Sequence, residues 1–208
     1  NSASASAFMI FSYLKEKYGE CDVYTPSIAF TSPAWSAKHF GHNLIFVDVN
    51  DELLFDCEDY RNRRVKTKNK KVVMPILYGG VSEIKNWNLF GDEIVVTDSA
   101  HCTSPKIPSD FYFFSFHPYK AICTSDGGMI STDIEDASNY FQSYRNFGRK
   151  NIGDTYDITQ DGFKFYMNNL NATLGLISLG KQNELRNIRK KNYLKFKNVL
   201  PQDENSSY

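Results

Sequence analysis

Short apolar runs alternate with longer amphipathic runs along most of this chain. The apolar runs, which predict buried strands, lie at residues 23–26, 44–47, 72–77, 93–98, 111–114 and 129–131. The amphipathic runs between them predict helices at residues 7–18, 30–40 and 134–147. This alternation of strands and helices is typical of an α/β fold with a mainly parallel sheet.

Three further segments have a different pattern. Residues 48–71 are polar and rich in Arg and Lys, so we interpret them as a solvated helix and loop. Residues 148–162 predict a loop, whose aspartates are better explained as surface residues than as ligands of a cation. These aspartates are Asp154, Asp157 and Asp161. Residues 170–199 predict one long helix that becomes strongly basic from residue 186 onwards. Its apolar positions are Leu170, Leu174, Ile177 and Leu185.

The residues that follow the predicted strand at 111–114 are candidates for chemistry. Ser115 and His117 end this strand, Lys120 lies just beyond it, and a Gly-Gly turn leads into the next strand. Enzymes with an α/β fold place their reactive groups on such loops, because the scaffold is rigid while the loop is free to vary. A lysine beside aromatic and hydroxyl groups can be desolvated, which lowers its pKa and makes its amine nucleophilic. A lone lysine is more often an ordinary surface residue, so a second group has to support this hypothesis.

That second group follows the predicted strand at 93–98. Asp98 stands at the C-terminal end of this strand, and His101 comes three residues later. Pyridoxal phosphate needs a lysine for a Schiff base, an acidic partner for its pyridinium nitrogen and a shaped slot for its ring. An aspartate at a strand end is by itself more often a helix cap or a turn former. The combined pattern is much more specific than either group alone. It consists of Asp98 and His101, followed by Ser115 and Lys120.

Several stretches that occur in this order resemble a known family. The matching stretches are 25–31, 46–49, 97–101, 114–120, 124–128 and 162–172. They resemble the sugar-nucleotide aminotransferases of the DegT/DnrJ/StrS type, a branch of the fold-type I pyridoxal phosphate enzymes. Because the stretches spread across nearly the whole chain, the resemblance is specific. It implies a three-layer α/β/α large domain with a mainly parallel sheet, and pyridoxal 5'-phosphate as the cofactor.

The resemblance also implies a role for each candidate around the cofactor ring. Lys120 is expected to form the Schiff base and to carry the proton between the substrate carbon and the cofactor. Asp98 is expected to keep the pyridinium nitrogen protonated, so that the ring acts as an electron sink. His101 and Phe30 are expected to sandwich the ring. Without the resemblance, Phe30 would be interpreted as one more phenylalanine of the hydrophobic core.

The cofactor phosphate is expected at the start of the first helix. Hydroxyl and N–H groups at a helix N-terminus suit a phosphate, although plain serine capping explains the same residues. In the resembling family a Gly-Thr pair opens this helix, and Ala3 and Ser4 take that place here. Ser4 and Ser115 are expected to bind phosphate oxygens, and Lys164 to reach the cofactor phosphate of a partner subunit. Tyr166 departs from the Arg, His or Asn that is commoner in the family.

The implied activity is transfer of an amino group from an amino acid, with glutamate the usual donor, to a nucleotide-linked ketosugar. This reaction serves aminosugar and surface polysaccharide biosynthesis, and the implied assembly is a homodimer with a shared active site. Residues 1–178 are expected to form most of the cofactor domain, without its N-terminal part. Residues 179–208 are expected to begin the helix towards a small C-terminal domain that is absent from this chain.

Composition limits the alternatives. The 208 residues are 41% hydrophobic and carry 24 basic against 24 acidic side chains, so nothing favours binding to a nucleic acid or a membrane surface. The four cysteines have no metal-binding spacing, and a reducing cytoplasm is the simplest location. Two rival functions remain, a related sugar dehydratase and a non-catalytic scaffold. Lys120 argues against the dehydratases of the family, which carry histidine at that position.

Overall fold

The computed structural model describes residues 1–152 and 155–199, and a six-stranded sheet lies at its centre. The strands are β1 (Cys21–Pro26), β2 (Asn43–Val47), β3 (Lys70–Val73), β4 (Ile94–Asp98), β5 (Phe111–Ser115) and β6 (Gly128–Ser131). Their order across the sheet is β2-β1-β3-β4-β5-β6. The pairs from β2 to β5 are parallel, and β6 runs antiparallel to β5. The predicted, mainly parallel sheet is therefore confirmed.

Helices cover both faces of this sheet. They are α1 (Ala3–Tyr18), α2 (Thr31–His39), α3 (Cys57–Arg63), α4 (Glu135–Tyr144), α5 (Asn169–Gly180) and α6 (Gln182–Val199). Neighbouring residues of a strand point to opposite faces, so Val23 packs against the core of α1 and α4, whereas Tyr24 packs against Tyr60 of α3. The result is the predicted three-layer α/β/α arrangement.

The first helix begins four residues earlier than its apolar pattern predicts. Ser2 caps it, because the Ser2 hydroxyl accepts a hydrogen bond of 3.0 Å from the Ala5 N–H. The start of α1 also lies against β6. A Cβ atom on Gly128 would lie only 2.2 Å from the carbonyl carbon of Ser2, so a glycine is required there. This contact places the first turn of α1 beside the end of β5.

The interpretation of residues 48–71 as a solvated segment is wrong in part. Leu54 and Tyr60 are fully buried, and Lys71 belongs to β3 with only 5% of its surface exposed. The Lys71 ammonium lies 2.8 Å from the buried carboxylate of Asp22. Burial opposes ionisation of Asp22, but hydrogen bonds from Lys71 and Thr67 outweigh it and lower the pKa of Asp22 to about 2. A buried ion pair of this kind needs its partner from a distant strand, which the local pattern does not reveal.

Two other predictions fail in the C-terminal third. The predicted loop at 148–162 contains an antiparallel hairpin of β7 (Arg149–Ile152) and β8 (Thr155–Ile158). The predicted single helix at 170–199 is interrupted at Lys181, which separates α5 from α6. Asp154 lies outside the described residues, and Asp157 and Asp161 are exposed.

Three features of composition can be located in the structure. All four cysteines are free thiols, and Cys102 packs in the core beside α3, whereas Cys123 is only partly buried. Within residues 1–152 and 155–199, no group of acidic, histidine or cysteine side chains is arranged to hold a metal ion. No helix in the same residues is long and apolar enough to cross a membrane.

Candidate active site

A cavity of about 550 Å³ opens at the carboxyl edge of the parallel strands. Segments that follow β1, β3, β4 and β5 line it, together with the first turn of α1. In open α/β sheets this edge is where ligands bind. The predicted site residues that line the cavity are Ala3, Ser4, Phe30, Asp98, His101, Ser115 and Lys120. The fold thus brings together residues that are distant in the sequence, the farthest being Ala3 and Lys120, which are 117 positions apart.

Asp98 provides a buried carboxyl group in this cavity. It is the last residue of β4, only 3% of it is exposed, and its Oδ1 accepts a hydrogen bond of 2.9 Å from the Ala100 N–H. Burial raises the pKa of Asp98 to about 6, although the Ala100 hydrogen bond and the positive charge of Lys120 both lower it. A carboxylate that has lost this much hydration is stabilised by a cationic partner.

Lys120 provides the amine. It follows β5 in a tight turn, in which the Lys120 N–H donates a hydrogen bond of 2.9 Å to the His117 carbonyl. Partial burial lowers the pKa of the Lys120 ammonium, and the Asp98 carboxylate opposes this shift. A lysine with a lowered pKa has a larger unprotonated fraction near neutral pH, which is the form that attacks a carbonyl carbon.

Two aromatic groups and His101 form walls of the cavity. His101 accepts a hydrogen bond of 3.3 Å from the Gly79 N–H at Nδ1, and its ring lies 5.6 Å from the ring of Tyr78. Burial, and then the positive charge of Lys120, lowers the pKa of His101, so its imidazole is neutral near neutral pH. Phe30 precedes α2, and 74% of it is exposed, so its ring is free to contact a bound molecule.

Hydroxyl groups also line the cavity. Ser4 lies in the first turn of α1, and its oxygen is 2.7 Å from the hydroxyl oxygen of Ser32 in α2. Ser115 at the end of β5 lines the same space. The first N–H groups of a helix have no acceptor within the helix, so the part of the cavity beside the first turn of α1 offers hydrogen-bond donors to an anion.

One predicted site residue is not in this cavity. The Lys164 carbonyl accepts a hydrogen bond of 3.1 Å from Asn1 Nδ2, and its ammonium lies 5.7 Å from the centre of the Tyr166 ring. Its contact with a partner subunit stays a prediction. Sequence reasoning missed Ser32 and Tyr78 as lining residues. Tyr78 carried a usable signal, because it begins a Tyr-Gly-Gly turn directly after an apolar run.

Because burial disfavours the ionised form of Asp98, the charge of this residue should affect the stability of the protein. The carboxyl of an unfolded chain has a pKa near 3.9, below the folded value of about 6. The folded protein therefore holds more protons than the unfolded chain between these values, and ionised Asp98 lowers stability as the pH rises through that window. We expect Asp98→Asn to raise the free energy of unfolding of the cofactor-free protein by about 1–3 kcal/mol near pH 8 and to change it little below about pH 4.

Denaturant unfolding of both proteins at the two pH values checks this expectation. The matched control is Asp110→Asn, which changes a carboxylate outside the cavity. Equal stability of Asp98→Asn and the unaltered protein near pH 8 would mean that the Asp98 carboxylate is not strained by burial.

A lysine and a buried carboxylate at the carboxyl edge of a mainly parallel sheet are features of an α/β enzyme. The model of the DegT/DnrJ/EryC1/StrS aminotransferase family matches residues 1–207, and this chain belongs to that family. Among curated proteins, it is 26% identical over 213 residues to the spore coat polysaccharide biosynthesis protein SpsC of Bacillus subtilis (strain 168). That match covers 91% of this chain and 53% of SpsC.

Solved structures share the fold. PseC of Helicobacter pylori, an aminotransferase involved in the biosynthesis of pseudoaminic acid, matches with a TM-score of 0.84 at 19% identity, over 98% of this chain and 58% of PseC. A variant of GDP-4-keto-6-deoxymannose-3-dehydratase (ColD) with bound GDP-perosamine matches with a TM-score of 0.79 at 17% identity, over 94% of this chain and 58% of ColD. These low identities show the fold alone. The chain spans little more than half the length of SpsC, PseC and ColD.

Proposed function

We propose that the protein transfers an amino group from an amino acid, with glutamate as the donor, to the ketone of a nucleotide-linked sugar, using pyridoxal 5'-phosphate. The observation that carries this proposal is that the Lys120 amine and the buried Asp98 carboxylate line one cavity. Membership of the aminotransferase family supports it. The names of SpsC and PseC, which refer to polysaccharide and pseudoaminic acid biosynthesis, support a role in making surface sugars.

The chemistry of the cavity fits pyridoxal phosphate. Asp98 is a carboxylate that lacks hydration and gains from a cationic partner such as a protonated ring nitrogen. Lys120 offers an amine for the aldehyde carbon, and the donors near Ser4 and Ser115 suit a phosphate. When bound, the cofactor supplies a ring that withdraws electrons from the carbon next to the transferred nitrogen.

Each of four cavity residues then has a defined task in the proposed reaction. Asp98 keeps the proton on the ring nitrogen, because a buried carboxylate favours a cation beside it. The Lys120 amine removes the proton from the donor carbon and returns one during the reverse sequence with the ketosugar. His101 and Phe30 both line the cavity and would contact the cofactor ring and keep water from it. His101 is suited to this contact because its imidazole is neutral.

The proposal includes a second copy of the chain. Helix α5 contains no buried residue, and Leu170 and Leu176 are 80% and 72% exposed. An apolar surface of this kind is typical of a surface that another chain covers. If the assembly is a two-fold dimer with a self-complementary interface, we expect Lys164 of one copy to contact the cofactor phosphate of the other, as the family resemblance implies.

Dehydration is the rival reaction, because ColD shares the fold. The dehydratases that the sequence resembles carry histidine at the position of Lys120, so the lysine favours amino transfer. A scaffold that has lost catalysis is the other rival. The retained Asp98, His101 and Lys120 line one cavity, which disfavours that loss.

Chemical trapping at Lys120 tests the proposal. The protein that the full reading frame encodes is purified, incubated with pyridoxal phosphate and reduced with borohydride. Peptide mapping then locates the labelled lysine. We expect the pyridoxyl label on Lys120, because its amine is half-buried and has a lowered pKa. A label on Lys106 or Lys150 would contradict the assignment, and the absence of any label would favour the scaffold.

The products distinguish the two reactions. With glutamate alone, the loaded protein should release about one 2-oxoglutarate per site and then stop. A nucleotide-linked 4-keto-6-deoxysugar or a 3-keto relative should restore turnover and yield an aminosugar. A deoxygenated sugar as the product would establish dehydration instead.

A further inference from the structure

Helices α5 and α6 hold the loop that carries Lys120. We define the lysine loop as residues 120–126. Its Cys123 N–H donates a hydrogen bond of 3.0 Å to the Ser178 hydroxyl of α5. Two side chains bind its carbonyl groups: Asn171 Nδ2 donates to the Asp126 carbonyl at 2.7 Å, and Arg189 Nη2 donates to the Lys120 carbonyl at 3.3 Å.

The contacts of α5 follow the period of a helix. Asn171, Gly175 and Ser178 are spaced by four and three residues, so they lie on one face. They are also the three partly buried residues of α5, in which every other residue is exposed. As the residue number rises along α5, the number of its partner in the lysine loop falls from 126 through 124 to 123. The loop therefore runs antiparallel to the helix and in a fixed register with it.

Gly175 allows the loop to approach this face. A Cβ atom at Gly175 would lie 2.7 Å from Cγ2 of Thr124, much closer than carbon atoms normally approach. Thr124 is itself 2% exposed, so it has little room to move. A glycine inside a helix reduces helix stability relative to alanine. The close approach of the loop accounts for its presence here.

This face of α5 differs from the buried face of an ordinary amphipathic helix. The side towards the protein body carries Asn171, Gly175 and Ser178, whereas the side away from it carries exposed Leu170 and Leu176. Its contacts with the loop are two hydrogen bonds to backbone groups and one close approach of the Thr124 side chain to Gly175. Such contacts fix the path of a chain more narrowly than apolar packing does, because hydrogen bonds require a defined direction.

We propose that Asn171, Gly175, Ser178 and Arg189 are positioning residues for Lys120, and that α5 and α6 set the place of its amine by holding the lysine loop in one register. This inference rests on the proposed role of Lys120 as the group that attacks the cofactor. None of the four residues lines the 550 Å³ cavity, so they act through the loop and not by touching a substrate.

The expected effect of loosening the loop follows from the surroundings of Lys120. Burial of the amine lowers its pKa, and the groups that face it are the Asp98 carboxylate and the His101 ring. A displaced loop lets the amine reach water, which returns its pKa towards that of a free lysine. At neutral pH a smaller fraction of the amine is then unprotonated and reactive.

Two variants, each paired with a control variant, test this inference in the protein that the full reading frame encodes. Gly175→Ala adds the clash with Thr124, and its control, Gly180→Ala in the same helix, meets nothing within 4 Å. Ser178→Ala removes the acceptor for Cys123, and its control, Thr173→Ala, changes an exposed hydroxyl that bonds only the Asn169 carbonyl of its own helix. Pyridoxal phosphate with borohydride labels Lys120, and the labelling rate is measured by peptide mapping between about pH 6 and pH 10.

We expect Gly175→Ala to slow labelling near neutral pH on the order of tenfold and Ser178→Ala about threefold, with the pH profile moved to higher pH in both. Both controls should stay within about twofold of the unaltered protein. Adding Thr124→Ser to Gly175→Ala removes the Cγ2 atom of the clash, so it should restore most of the rate. Labelling of Gly175→Ala and Ser178→Ala that equals that of their controls would overturn the inference.

A second reagent separates this inference from the proposed function. Acetic anhydride acetylates lysine amines without any cofactor, and its rate at Lys120 reports the pKa and exposure of that amine. If pyridoxal phosphate fails to label the unaltered protein, the proposed function fails, and acetylation then decides the positioning role. A higher Lys120 pKa in Ser178→Ala than in Thr173→Ala supports the role, and equal values refute it. Ser178→Ala also supplies the answer if Gly175→Ala does not fold.

Discussion

Replacement of Lys120 by alanine is expected to reduce turnover on the order of 10⁴-fold in the full reading frame, with pyridoxal phosphate present in excess. The amine is proposed both to attack the cofactor and to carry the proton at the substrate carbon, so its removal eliminates both tasks. Release of 2-oxoglutarate from glutamate measures the first half of the reaction. Formation of an aminosugar from a nucleotide-linked ketosugar measures the second half.

The matched control for this variant is Lys106→Ala. Lys106 is an exposed lysine whose ammonium lies 3.9 Å from the carboxylate of Glu83, and it does not line the 550 Å³ cavity. Its replacement should leave both halves of the reaction within about twofold of the unaltered protein. Added methylamine should restore part of the lost rate in Lys120→Ala, because a free amine can enter the space that the side chain leaves. Normal turnover of Lys120→Ala would exclude Lys120 as the catalytic amine.

The second large effect is expected for Asp98→Asn. Asparagine keeps the size of the side chain and can still accept the Ala100 hydrogen bond, but it carries no charge to hold a proton on the ring nitrogen. Loss of one preorganised electrostatic group typically reduces turnover by about 10²–10³-fold, or about 2.7–4 kcal/mol. The borohydride label on Lys120 should persist in this variant, because the lysine itself is unchanged.

The two effects of Asp98→Asn have opposite signs. Catalysis should fall, whereas the cofactor-free protein should become more stable near pH 8, because burial raises the pKa of this carboxyl to about 6. A residue that acted only as a turn former would not show the loss of turnover, although its burial would still give the pH-dependent gain in stability. Near-normal turnover of Asp98→Asn would exclude the electrostatic role, whatever the stability measurement shows.

The pattern of the sequence predicted the strands that carry the candidate site. The runs at 93–98 and 111–114 correspond to β4 and β5. The last residues of these two strands, Asp98 and Ser115, are polar and lie at the carboxyl edge as expected. This prediction succeeds because buried parallel strands are mainly apolar runs, and polar residues become frequent where such a strand reaches the edge of the sheet. Parallel strands also end at one edge, so residues after different strands converge there.

The same patterns failed where the decisive contacts are distant in sequence. Lys71 looks like a surface lysine in a basic segment, but Asp22 on β1 pairs with it in the interior. The hairpin of β7 and β8 has exposed residues along β8 and no apolar alternation, so pattern alone predicted a loop. The break at Lys181 lies within a continuous helical pattern, and no proline marks it.

By itself, the sequence determined the α/β class, the order of the sheet-forming runs and a small set of polar residues at strand ends, because these follow from local periodicity. Only the tertiary structure decided which of those residues share a cavity, that Lys164 is outside it within this chain, and that Ser32 and Tyr78 belong to it. The tertiary structure also decided the role of α5. The leucines of this helix predict its buried side, but the structure turns Asn171, Gly175 and Ser178 towards the protein. The physical reason is that the residues packed against a helix decide which of its faces is buried. The lysine loop offers an N–H and a carbonyl group that Ser178 and Asn171 satisfy, and Gly175 leaves room for the Thr124 side chain.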